Sequence, residues 1–232
     1  DKLRGMDTSD PEFDFLTSNR KLYSVADSSK IYYKNWLKEK CKNMRVLDYG
    51  SGDGSYSIFL AQNGADVVGV DISDVSVSNC QQLALDYGLQ ERAIFKVMDA
   101  EELEFENNSF DLVCEAGVLH HVDLKKAFSE ISRVLKPGGN AICYEALGHN
   151  RIFQLYRQLT PHLRTEFETE HILRLNSLDL AKEYFDTVEV KFFHLAVLAA
   201  VPFRSLPGFQ SLLRILEAVD SWLFKFPVFQ KQ

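Results

Sequence analysis

Three glycines at alternate positions, Gly50, Gly52 and Gly54, follow Asp48 in the stretch VLDYGSGDGSYSIFLAQNGADVVGVDIS (Val46 to Ser73), and Asp53 and Asp71 stand close by. Glycines so placed let a backbone approach a ligand closely and aim helix-start N–H groups at an anion. The dinucleotide spacing GxGxxG would put its third glycine at position 55, where Ser55 stands. A pyrophosphate 4 to 6 Å from Asp48 would also meet roughly 3 to 4 kcal/mol of repulsion at an effective dielectric near 20. The cradle therefore disfavours a nicotinamide-dependent oxidoreductase. It asks for a nucleoside ligand without phosphate and with a cationic end.

S-adenosyl-L-methionine meets both demands, because its far end bears an ammonium and a sulfonium. Asp48 is expected to accept from the ammonium, while the loop of Gly50, Ser51, Gly52 and Gly54 receives the carboxylate. Asp71, with Ile72 after it, is placed to accept the ribose hydroxyls, and Asp99, beside Ala100, to face the adenine amino group. Two histidines are candidate general bases for an acceptor's proton: His121, of the pair His120-His121, and His149. Capping or packing of the following helix is the alternative for the pair. Glu145 is expected to orient a histidine or bind a substrate hydroxyl. No metal-ligand set is legible, so no metal is expected.

These residues sit at the ends of short apolar runs suited to buried parallel strands: Arg45 to Tyr49, Val67 to Val70, Ile94 to Val97, Leu112 to Glu115 and Ala141 to Glu145. Between them Ser73 and Asp123 are placed to cap helices. One helix carries Val77, Cys80, Ala84 and Tyr87 on a face and ends at Gly88; the next carries Leu124, Phe128, Ile131 and Leu135 and stops at Pro137-Gly138-Gly139. Residues 12–42 read as an aromatic-rich helical cap and residues 45–145 as the ligand-binding core. Residues 148–176 read as an insertion rich in Arg and His, including Arg151, Arg157 and Arg164. Thr187 to Leu198 is expected to be a sixth strand and 199–229 an apolar helical tail. The insertion and tail are expected to form a lid over a hydrophobic acceptor, at a membrane surface in one version; packing of the tail on the domain is the plain alternative.

At 232 residues and 46% hydrophobic content the chain is expected to be one α/β domain, 1–232. A net charge of -7 argues against nucleic acid as a partner. Four dispersed cysteines and a polar start (DKLRGMDTSDPEFD) read as a cytoplasmic protein with reduced thiols, with a membrane-peripheral position as the variant.

Five motifs in order, VLDYGSGDG, GVDIS, VMDAEEL, FDLVCEAGVLHHV and RVLKPGGNAICYE, resemble those of class I S-adenosylmethionine-dependent methyltransferases. The resemblance implies a Rossmann-like sheet of order 3-2-1-4-5-7-6, here with an N-terminal helical cap and helical C-terminal additions. It also implies Gly50, Gly52, Asp71, Asp99, Ala100 and Glu115 near the cofactor. The activity it implies is methyl transfer to an oxygen, less readily a nitrogen or carbon, of a small or lipid-linked acceptor. The alternative is a module of the same fold that holds cofactor or a partner without turnover. One departure stands out: no final strand is legible after Leu198.

Overall fold

A computed structural model describes Val25 and residues 27–148, 173–204 and 206–226. They group into two compact units. Of the described residues, the larger comprises 33–146 and 173–188; the smaller takes in Val25 and 27–32, 147–148, 189–204 and 206–226.

The larger unit is a five-stranded parallel sheet of order β3-β2-β1-β4-β5, built from β1 (Arg45–Tyr49), β2 (Asp66–Asp71), β3 (Ala93–Val97), β4 (Phe110–Ala116) and β5 (Leu135–Tyr144). Strand order reverses between β1 and β4, which opens a crevice at their carboxyl ends. Val46, Val67 and Leu112 of the strands pack with Tyr33 and Leu37 of α1 (Asp27–Lys40) and with Ile58 and Leu60 of α2 (Ser55–Gln62). Burial on both faces explains why these strands read as continuous apolar runs.

Local signals hold at the helix ends. The Ser73 hydroxyl accepts from Ser76 N at the start of α3 (Asp74–Asp86). At its end Gly88 (φ 66°) donates to Leu85 O and Leu89 to Ala84 O, the paired bonds of a glycine-terminated helix. Tyr87, expected on the buried face, is instead the capping residue and is exposed, because the chain turns away at Gly88. Asp123 accepts from Lys125 N and Lys126 N and opens α4 (Leu124–Val134). β5 begins at Leu135, earlier than expected, and Pro137-Gly138-Gly139 lies within it. The pairing jumps from Phe110↔Leu135 to Leu112↔Asn140, so these residues bulge, tolerated where the strand is the last of the sheet. Beyond the sheet, α5 (Leu175–Ala181) leads to Tyr184 and Phe185, which meet Phe128 of α4 at 6.2 and 6.0 Å between ring centroids.

In the smaller unit, Val25, Val197, Ala200 and Leu213 form a buried cluster flanked by Leu212 and Leu216 of α6 (Phe209–Leu223). Thr187 to Leu198 is not the expected sixth strand: Ala196–Phe203 is a 3-10 helix. Two residues explain this. His194 takes φ 66°, which breaks an extended run, and the buried Asp220 carboxylate accepts from the backbone N–H groups of Leu195, Ala196 and Val197, which gathers them into a turn. Residues 12–24 of the expected cap, 149–172 of the insertion and 227–229 of the tail lie outside the described residues. Among the described residues no helix is long and apolar enough to cross a membrane.

Candidate active site

The site is assembled on the carboxyl ends of the five strands. Gly50 takes φ 76°, and a Cβ there would fall 2.3 Å from Val118 Cγ2, so glycine lets the loops after β1 and β4 close on each other. Gly52 is different. Its φ is 54°, yet among the described residues a Cβ would meet no atom nearer than Gly50 O at 4.0 Å, which leaves an open face. Ser51 N donates to Val70 O and Gly54 N to Ser51 O, holding the loop against β2. Gly54 (φ 75°) is the N-cap of α2 and abuts Cys80, so this side of the loop is closed.

Asp71 stitches the loop: one carboxylate oxygen accepts from Gly52 N and the other from Ser73 N, each at 2.9 Å. Ile72, 75% exposed, projects an apolar side chain beside it. Asp99 is exposed and accepts from Glu101 N, and Ala100 O accepts from the Tyr49 hydroxyl. The glycine loop, Asp71, Ile72, Asp99 and Ala100 thus lie along adjacent strand ends, β1, β2 and β3.

Asp48 and Glu115 are both buried. Asp48 is buried, with Ser57 Oγ donating to it at 2.6 Å and the Cys114 thiol at 3.6 Å. Burial raises its carboxyl to about 6, against the opposing effect of those two bonds. These bonds tie β1 to α2 and β4. Glu115 is fully buried beneath the β4 loop, not on its surface. One of its oxygens accepts from Val118 N at 2.5 Å and Leu119 N at 3.3 Å, which turns the chain into the 3-10 helix Leu119–His121.

That short helix decides which histidine meets Glu145. His120 Nδ1 lies 2.9 Å from Glu145 Oε2. His121 is exposed, and its ring lies tilted against that of His120, with centroids 3.9 Å apart and 42° between the planes. The sequence reading named His121 as the candidate and passed over His120; a His-Glu pair across the ends of β4 and β5 is not visible in spacing alone. His149, with Arg151, Arg157 and Arg164, lies outside the described residues. Among the described residues no group of three or more His, Cys, Asp or Glu could hold a metal ion.

Residues 47–143 match the family model described as a methyltransferase domain, and the sheet order, the glycine loop and the acids at successive strand ends are in keeping with the resemblance to class I S-adenosylmethionine-dependent methyltransferases. Over 110 residues the chain is 37% identical to the ubiquinone/menaquinone biosynthesis C-methyltransferase UbiE of Rickettsia felis, covering 44% of each. The chain spans under half the length of that curated relative. Among solved structures, the PH0226 protein of Pyrococcus horikoshii is similar at 28% identity and TM-score 0.55, over 70% of this chain and 83% of that one. A geranyl diphosphate methyltransferase solved with its diphosphate substrate and sinefungin shares the fold at TM-score 0.62 and 16% identity, over 84% of this chain and 74% of that one.

Proposed function

We propose that this protein binds S-adenosyl-L-methionine at the glycine loop and transfers its methyl group to a carbon of a small or lipid-linked hydrophobic acceptor. The observation that carries this reading is the open face of Gly52 beside Asp71 and Ile72. The donor set fits the cofactor: backbone N–H groups for its carboxylate, Asp71 for ribose hydroxyls, Ile72 as a flat apolar surface for the purine and Asp99 for the amino edge. An acidic rim suits a ligand whose reactive end is cationic. Carbon is placed ahead of oxygen, reversing the sequence expectation, because the curated relatives are named as carbon methyltransferases.

Bound cofactor supplies an electrophilic methyl on a positively charged sulfur. Its transfer to the acceptor, with the neutral thioether leaving, needs no nucleophile from the protein. What remains for the chain is orientation and a proton: a ring carbon that gains a methyl must lose its hydrogen as H+. His120 is the proposed acceptor of that proton at Nε2, with Glu145 holding the opposite ring nitrogen and stabilising the imidazolium. His120→Ala is expected to retain cofactor affinity within about twofold and to lose ~100-fold or more in turnover. The check is titration calorimetry beside transfer from 13C-methyl cofactor to phenolic and quinol-type acceptors, with NMR deciding whether the methyl sits on carbon or oxygen. Cofactor binding with no transfer to any acceptor would support the non-catalytic alternative.

The tail supports a lipid-like acceptor. On α6 and just beyond it Ile215, Val219, Trp222 and Phe226 are exposed at helical spacing, with Arg214 and Lys225 flanking the stripe. We assign this stripe to an anionic lipid surface. Flotation with phosphatidylglycerol vesicles is expected to carry the protein, and Trp222→Ser with Phe226→Ser to abolish it; equal flotation of the variant would refute the assignment.

A further inference from the structure

Glu115 and Glu145 each bury one carboxyl oxygen without a partner, Glu115 Oε2 and Glu145 Oε1. The remaining oxygens are accounted for, at Val118 N and Leu119 N for Glu115 and at His120 Nδ1 for Glu145. The two side chains are neighbours by register. Glu115 of β4 pairs with Cys143 of β5, and Glu145 lies two residues further along the same side. Two ionised carboxylates cannot satisfy each other there, since both only accept. One proton between them satisfies both orphans at once.

We propose that Glu115 carries this proton and donates it to Glu145, so that the pair holds a single negative charge, fixed on Glu145 as the partner of a His120 Nδ1–H. Glu115 is then a positioning residue two steps from the proposed base: its proton aligns Glu145, and Glu145 fixes the His120 tautomer and raises the basicity of Nε2. Burial, and then the adjacent Glu145, push the Glu115 carboxyl well above the ordinary carboxylate range, in keeping with a proton held at neutral pH. Among the described residues, the groups recorded as facing Glu115 add no cation. They are Tyr33 of α1, whose hydroxyl donates to Glu115 O, Tyr49 of β1, and the Cys114 and Cys143 thiols of β4 and β5. Burial holds Tyr33 and Cys114 in their neutral forms, so neither supplies a charge to offset a second carboxylate.

The functional meaning of this pair rests on the role given to His120 above, but the proton itself does not, and the test separates the two. Infrared difference spectroscopy of the wild-type protein, with 13C-labelled glutamate, is expected to show a protonated carboxyl band at pH 8 that disappears in E115Q. NMR titration of His120 follows. E115Q keeps a donor toward Glu145 and an acceptor toward Val118 N, so the His120 pKa is expected to stay within about 0.3 units of wild type, whereas E145Q, which removes the facing charge, lowers it by about one unit or more. Turnover, where it occurs, is expected to shift its acid limb with E145Q and not with E115Q. Absence of the band in wild type, or an E115Q shift as large as that of E145Q, would show two ionised carboxylates and overturn the proposal. Presence of the band and both titration results without any methyl transfer would support the shared proton and count against the reading of His120 as a base.

Discussion

Burying Asp48 places a carboxylate where water cannot solvate it, and two protein donors recover only part of that loss. Its carboxyl is raised from 3.8 to about 6. A carboxyl held above its unfolded value binds its proton more tightly in the folded protein, so its contribution to stability is full below about pH 4 and is lost as pH rises through about 6. Asp48→Asn, which cannot ionise, is expected to remove that part of the pH dependence of unfolding, at most about 3 kcal/mol between pH 4 and pH 7. Denaturant titrations at several pH values check this, and an unchanged slope would mean that Asp48 is solvated in the folded state. The residues that were legible here are those whose role is local. Gly50, Gly54, Ser73 and Asp123 each answer to the backbone within a few positions, or to a turn that only glycine makes easily. The hydrogen bonds of Asp48 to Cys114 and of His120 to Glu145 were not legible, because these partners lie 66 and 25 residues away in sequence.

At the scale of elements the same division holds. All five strands of the sheet were legible, since two-faced burial leaves a continuous apolar run. The bulge at Pro137-Gly138-Gly139 read only as a helix stop, because the register slip it makes shows only in the pairing of β5 with β4. Thr187 to Leu198 misled for a different reason: its composition suits a strand, but the carboxylate of Asp220, from α6, takes three of its N–H groups. The start of that 3-10 helix carries a testable sensitivity. His194 donates or accepts through Nε2 to Ser29 at 2.7 Å, and its Nδ1 is buried without a partner. Burial lowers its pKa from 6.5 to about 4. An imidazole held below its unfolded value resists protonation when folded, so it costs nothing above pH 6.5 and an increasing amount as pH falls toward 4, at most about 3 kcal/mol. Hydrogen exchange is expected to show the N–H groups of Leu195, Ala196 and Val197 losing protection from pH 6.5 to pH 4.5, and His194→Asn, which tolerates the left-handed backbone, to blunt that loss. Equal protection at both pH values in wild type would contradict the burial of this ring.

At the scale of the whole molecule the central claim concerns one ligand: a glycine loop with an acidic rim, at the strand-order reversal of a parallel sheet, takes S-adenosyl-L-methionine. Gly52 isolates that claim from folding, because among the described residues its Cβ position meets no atom nearer than 4.0 Å, in contrast to Gly50 and Gly54. The most direct measurement is titration calorimetry of S-adenosyl-L-methionine and its demethylated product into wild-type protein and Gly52→Val, with thermal melts alongside. Wild type is expected to bind both ligands and to ignore NADH. Gly52→Val is expected to remain folded, with a melt lowered only by the strain of its positive φ, about 1 to 2 kcal/mol, and to lose at least ~100-fold in affinity, a penalty near 2.7 kcal/mol. No binding by the wild-type protein, or equal binding by a folded Gly52→Val, would contradict the assignment of this loop as the cofactor cradle.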